Sequence, residues 1–185
     1  MSKQILETQR LILREMTDED FPALCRMLRD PEVMYAYAHG FSEEESWDWL
    51  RRQQSRYEND GFGLWAMIEK KSGRMIGQCG LTMQALADGT MVHEVGYLLE
   101  KAAWGNGWAT EAAVACRQYA FEVLGVEEVY SIIRENNLPS QRVALRNGMK
   151  VTGQLTKHYY GMEMPHLVFS VRRESVESSA RSEES

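Results

Sequence analysis

The hydrophobic and polar positions fall into blocks whose periods predict a mixed set of strands and helices. Arg10 to Met16 (RLILREM) alternates in part and is rich in branched residues, which predicts an opening strand. Thr17, with Asp20 three residues on, starts a helix whose apolar face carries Phe21, Leu24, Met27 and Leu28 and which Pro31 stops. Ser42 with Glu45 repeats the start signal, and Trp47, Leu50 and Gln54 follow at helical spacing. Asn59-Asp60-Gly61 reads as a turn. Residues 63–70, 74–83 and 91–100 are strand patterns separated by Ser72-Gly73 and Asp88-Gly89, which predicts an antiparallel meander.

After Trp104–Thr110 a long helical pattern places Ala109, Ala112, Cys116, Ala120 and Val123 on one stripe, ended by Gly125. A strand over 127–135, a short helix after Pro139 and Ser140, and strands near 149–156 and 166–172 complete the order. The fold class this implies is α+β with a mixed sheet, in one domain over residues 1–173. Residues 174–185, serines among mixed charges with no apolar face, read as a disordered tail.

Composition narrows the class. Hydrophobic residues make up 44% of 185, enough for a sizeable core, and the net charge of −6 argues against a nucleic-acid-binding surface. Cys25, Cys79 and Cys116 are odd in number and far apart, which fits reduced thiols in a cytoplasm. His39, His93, His158 and His166 lack metal-ligand spacing, so no metal is expected. No apolar run reaches the ~20 residues of a membrane span, and MSKQILETQR lacks the core of a signal peptide.

The segment that carries chemistry is the strand–turn–helix around Trp104-Gly105-Asn106-Gly107-Trp108-Ala109-Thr110. Two glycines let successive N–H groups converge beside a helix N-terminus, a ready anion site. The same pattern also serves a tight turn that binds nothing. A P-loop is excluded because Gly107 is followed by Trp108-Ala109 where Lys-Ser/Thr is required. A dinucleotide fingerprint is disfavoured because the turn follows several strands and Thr110 takes the third small position.

Glu94-Val-Gly-Tyr-Leu-Leu-Glu100, Trp104-Gly-Asn-Gly-Trp-Ala-Thr-Glu-Ala112 and Asn137-Leu-Pro-Ser140 resemble the GNAT superfamily of N-acetyltransferases. Glu7-Thr-Gln-Arg-Leu-Ile-Leu-Arg14 is similar to the first strand of its RimJ/RimL branch, the ribosomal-protein N-terminal acetyltransferases. The likeness runs from about Glu7 to about Val171. It implies a V-splayed, mostly antiparallel sheet of about seven strands flanked by about four helices, with acetyl-CoA in the opening. Backbone groups near Leu98 and Leu99 would pair with pantetheine, and the Trp104–Thr110 turn would cradle the pyrophosphate. Asn137 would bond the pantetheine region and Arg142 would approach the phosphates. The tyrosine acid of many members is replaced by Ala144 four residues before Gly148, and Ser140 matches the serine proposed for the RimL-like branch. In the family the region of Tyr35, Tyr37, His39 and Phe41 shapes the acceptor pocket; His158-Tyr159-Tyr160 is a second candidate rim.

Amine acetylation needs a base for the attacking ammonium and a donor for the leaving thiolate. Glu94, on the strand entering the site, is the candidate base; its alternative is a solvent-facing or ion-paired strand glutamate. Ser140 is the candidate donor; its alternative is a helix N-cap. Cys79 and Cys116 sit in apolar patterns with no histidine placed to activate them. The sequence thus points to an acetyl-CoA-dependent N-acetyltransferase acting on a primary amine of a protein N-terminus or small molecule, in a form that allows a homodimer. The other reading is a non-catalytic acyl-CoA-binding module, which needs neither Glu94 nor Ser140.

Overall fold

The computed structural model describes residues 2–184. Its elements, in order, are β1 (Gln4–Glu7), β2 (Leu11–Arg14), α1 (Phe21–Leu28), α2 (Glu43–Asn59), β3 (Leu64–Glu69), β4 (Met75–Ala85), β5 (Met91–Leu99), α3 (Trp108–Glu122), β6 (Glu128–Arg134), α4 (Leu138–Arg146), β7 (Lys150–Tyr159), β8 (Met162–Arg172) and α5 (Arg173–Glu183). The eight strands form one sheet in the order β1-β2-β3-β4-β5-β6-β8-β7, so the expected fold is present with one more strand and one more helix. The expected meander is there, since β3, β4 and β5 pair antiparallel in succession.

Both faces of the sheet are covered. On β3, Trp65 and Met67 belong to the core beneath α3, while Leu64 and Ala66 belong to the core beneath α1 and α2. That is why β3 reads as a continuous apolar run instead of alternating. Both helix-start signals are realised as capping boxes, Thr17 with Asp20 and Ser42 with Glu45. A buried bond from Trp49 Nε1 to Gln78 Oε1, 3.0 Å, ties α2 to β4.

Four local expectations are corrected. β1 pairs antiparallel with β2 and precedes the strand expected to open the fold. The α3 stripe holds at Ala112, Cys116 and Ala120, all fully buried, but Val123 is 63% exposed because the helix ends at Glu122. Helix α4 begins at Leu138, so Pro139 lies in its first turn, where a missing N–H costs nothing. The segment read as a disordered tail is largely helix α5. There Arg173 Nη1 donates to the Phe121 carbonyl at 3.0 Å, its Nε pairs with Glu177 at 2.9 Å, and Val176 packs against the core.

All contacts in the sheet are antiparallel except one. β5 and β6 run parallel and share a single register pair, Glu94 with Tyr130. Beyond that pair the strands part, and the opening between them is the site.

Candidate active site

The parting of β5 and β6 is finished by side chains. The Ile132 N–H, which a continuing parallel ladder would give to β5, donates to Glu94 Oε2 at 2.7 Å. The Val95 carbonyl is taken by the Ser131 hydroxyl at 2.7 Å. Val95 therefore faces β6, while the Glu100 N–H donates to the Ile76 carbonyl on the β4 side. Strand alternation then turns the peptide groups of Tyr97 and Leu99 into the opening and those of Leu98 toward Gln78. Pairing expected near Leu98 and Leu99 thus falls to Tyr97 and Leu99. The Leu99 carbonyl already accepts Trp104 Nε1 at 3.1 Å.

The opening is a cleft of about 640 Å³ whose lining includes Glu94, Tyr97–Leu99, Trp104–Thr110, Asn137, Ser140 and Arg142. Every residue named from sequence for catalysis or cofactor binding is on this one surface. Tyr35 and Tyr37 line it as well. Phe41 lines a neighbouring cavity with Tyr37, and His39 stands outside both linings with its ring 4.3 Å from that of Tyr160.

The glycine turn has the backbone its composition suggests. Gly105 and Gly107 have φ of +80° and +75°, and Gly107 is the N-cap of α3. A Cβ on Gly105 would meet nothing within 4 Å, so that side of the turn is open. The Asn106 amide donates to the Ala103 and Trp104 carbonyls at 3.1 and 3.2 Å, so this side chain closes the loop itself. Arg10, outside the sequence-derived site, anchors the turn from behind. Its Nη1 donates to the Asn106 carbonyl at 3.0 Å, its Nε meets Glu111 at 2.8 Å, and its guanidinium lies 5.8 Å from the Trp108 ring centroid. A trans peptide sets the Gly107 N–H opposite the Asn106 carbonyl, so Arg10 fixes the direction of that donor.

Glu94 is half-buried on the cleft wall, and its loss of solvent pushes its carboxyl above the usual range; the nearby charges of Lys157 and Arg56 and the Ile132 N–H act the other way. Lys157 also lines the cleft, as do Tyr159 and His166. Burial keeps the His166 pKa low, and its Nδ1 lies 2.7 Å from the Met164 carbonyl. Sequence periodicity gave no signal for Lys157 or His166, which face the cleft from the far pair of strands.

The N-cap of α4 is Asn137, not Ser140. Asn137 Oδ1 accepts the Ser140 N–H at 3.3 Å and the Tyr35 hydroxyl at 2.7 Å. Arg134 Nη1 also donates to the Tyr35 carbonyl at 3.0 Å, so the α1–α2 connection is strapped across to the β6–α4 side. The Ser140 carbonyl accepts the Tyr97 hydroxyl at 2.6 Å, and its own hydroxyl has no hydrogen bond among the described residues. Arg142 and Arg146, one turn apart, line the cleft without an ion pair among the described residues. Cys79 and Cys116 lie away from it, sulfurs 3.6 Å apart in the core, where burial raises the Cys116 thiol well above its ordinary value.

A mixed sheet split between two parallel neighbours, with a glycine turn and a half-buried carboxylate at the split, is the arrangement that the resemblance of the sequence implies. The Acetyltransferase (GNAT) domain family matches residues 10–150, and the chain belongs to that family of acetyltransferases. The chain is 34% identical to the uncharacterized protein YkkB of Bacillus subtilis (strain 168) over 157 residues, 84% of this chain and 91% of the relative. It is 29% identical over 164 residues to the uncharacterized N-acetyltransferase YoaA of the same organism, covering 88% and 92%. The fold is also that of RimL, a ribosomal L7/L12 alpha-N-protein acetyltransferase solved in complex with coenzyme A. That comparison has a TM-score of 0.74 at 16% identity and covers 92% of this chain and 98% of that one. No helix among the described residues is long and apolar enough to cross a membrane.

Proposed function

We propose that this chain transfers the acetyl group of acetyl-CoA to a primary amine, with Glu94 as base and Ser140 as proton donor. The observation that carries the reading is Glu94: a half-buried carboxylate at the split of β5 and β6, on the wall where peptide groups stand free for a ligand.

Acetyl-CoA supplies an activated thioester carbonyl. The cleft suits it: an open glycine turn with donors for a pyrophosphate, unpaired strand groups at Tyr97 for an extended arm, and the Arg142 and Arg146 guanidiniums for phosphates. Glu94 takes the proton of the incoming ammonium, directly or through one water, so that the free amine attacks. As the C–N bond forms and the C–S bond breaks, the Tyr97 N–H is the nearest free strand donor for charge on the acetyl oxygen. Ser140 gives its hydroxyl proton to the departing sulfur and is reprotonated through water by the second proton shed from the attacking nitrogen, while Glu94 returns the first to solvent. The remaining acceleration comes from holding the two reactants together.

The reduced cysteines support a cytoplasmic setting for this reaction. The test is an acceptor screen with acetyl-CoA, following free thiol release, with the parent and Glu94→Gln side by side. Amine-dependent thiol release that the variant largely loses supports the reading. Saturable acetyl-CoA binding with no turnover on any amine supports the non-catalytic module instead.

A further inference from the structure

Beside the cleft lies a second cavity of about 260 Å³, between the α1–α2 connection, helix α2 and the β7–β8 turn. Tyr37 and Tyr159 line both, so the second cavity is an annex of the first. Its remaining aromatic lining is Phe41, Trp49 and Tyr160. Tyr37 meets Trp49 edge-on at 5.8 Å and Phe41 at 6.2 Å, and Phe41 meets Trp49 at 5.8 Å. The charges in the lining are the carboxylates of Glu45 and Asp48 and the guanidinium of Arg52. Arg51 stands 4.0 Å from Asp48 in a largely exposed pair.

Glu45 is fixed in place. It accepts the Ser42 N–H at 3.1 Å and the Tyr160 hydroxyl at 3.2 Å, and His39 Nε2 lies 3.2 Å away. The Ser42 N–H holds its carboxyl below the usual range, and acceptor capacity remains on a carboxylate with three partners. Tyr160 and Gly161, both at positive φ, are the two turn residues between the paired Tyr159 and Met162, so the hairpin tip sets the Tyr160 ring at the cavity.

We propose that the annex binds the far end of the acceptor, and that the acceptor is a small linear amine with a second cationic centre, a diamine or polyamine. This rests on the acetyl-transfer reading and adds the substrate class. Ring faces and carboxylates together recognise an alkylammonium. Glu45 has no Lys or Arg partner among the described residues, so a neutral tail would desolvate it without giving it a counter-charge, and an anionic tail would face it directly. The amine to be acetylated stands at Glu94, and the second stands past the Tyr37 and Tyr159 wall.

The test measures thiol release with acetyl-CoA on n-butylamine, 1,4-diaminobutane and spermidine, for the parent and for Glu45→Gln and Asp48→Asn. Glutamine preserves the Ser42 capping box, so the first variant keeps the start of α2. The parent is expected to favour the better of the two polycationic amines over the monoamine by about tenfold or more in kcat/KM, and Glu45→Gln to bring that ratio down by several-fold. A ratio near one in the parent, or one that neither variant changes, overturns the proposal. If no amine in the series is acetylated, the transfer reading fails separately, and calorimetric titration of spermidine decides on the annex. Saturable binding weakened by Glu45→Gln supports it; absent binding, or binding that the variant does not change, overturns it.

Discussion

Glu94 Oε2 and the Ile132 N–H, 2.7 Å apart, close the β5–β6 ladder at the point where it stops being a ladder. One carboxylate oxygen holds the split, and the other accepts no hydrogen bond among the described residues. Glu94→Gln keeps an acceptor for Ile132 and removes the proposed base. Turnover should fall by about two orders of magnitude, the lower end for a lost general base, while acetyl-CoA affinity changes little. Steady-state kinetics beside calorimetric titration check both halves.

The same carboxylate makes stability depend on pH. Its folded pKa is raised above the ordinary 4.5. The folded state therefore favours the protonated form, and the stability present below pH 4.5 is lost as pH rises through the raised value. Glu94→Gln should be more stable than the parent at neutral pH relative to pH 4, with a flatter profile between. Thermal melts across that range read it directly; parallel profiles would assign Glu94 no differential ionisation.

Arg10 should matter to a cofactor it is not expected to touch. Arg10→Ala releases the Asn106 carbonyl and leaves Glu111 with Thr8 and one N–H. Because Arg10 is nearly half exposed, the loss should be moderate, about three- to tenfold in acetyl-CoA affinity at moderate salt. Gly107→Val should be more severe, since a β-branched residue at φ +75° strains the turn itself. Calorimetric titration of acetyl-CoA ranks the two, and equal binding in all three proteins would remove the turn from the site.

Ser140 is separable from capping, because Asn137 holds that role. Ser140→Ala should slow transfer and leave the melting temperature nearly unchanged. Asn137→Ala should cost about 1 kcal/mol, a melting temperature lower by about 2–4 °C. Paired melts and rates distinguish them: an alanine at 140 that turns over like the parent would leave the thiolate to water.

Much of the scaffold was legible because its signals are local. Thr17 with Asp20 and Ser42 with Glu45 announce helices within four residues, and the glycine turn announces itself in seven. What escaped is set by distance along the chain. Glu94 finds Ile132 thirty-eight residues later, Arg10 reaches Glu111 across a separation of 101, and Tyr35 bonds Asn137 across 102. β1 is four residues long and half exposed, so its pattern resembles a loop until β2 pairs with it. The cap of α4 shifted from Ser140 to Asn137 because Pro139 is as comfortable inside a first helical turn as before it.

The strap from Tyr35 to Asn137 has a thermodynamic consequence. Tyr35 lines the cleft at the strap, and Tyr37, two residues along the same short turn, belongs to both cavities. A ligand that draws on Asn137 Oδ1 competes with the Tyr35 hydroxyl for it, and moving Tyr35 carries Tyr37 with it. Occupancy on one side then changes affinity on the other, and linkage makes the two effects equal in size whichever ligand arrives first. Titrating an amine with and without coenzyme A, and coenzyme A with and without the amine, should give the same coupling factor, reduced toward one in Tyr35→Phe.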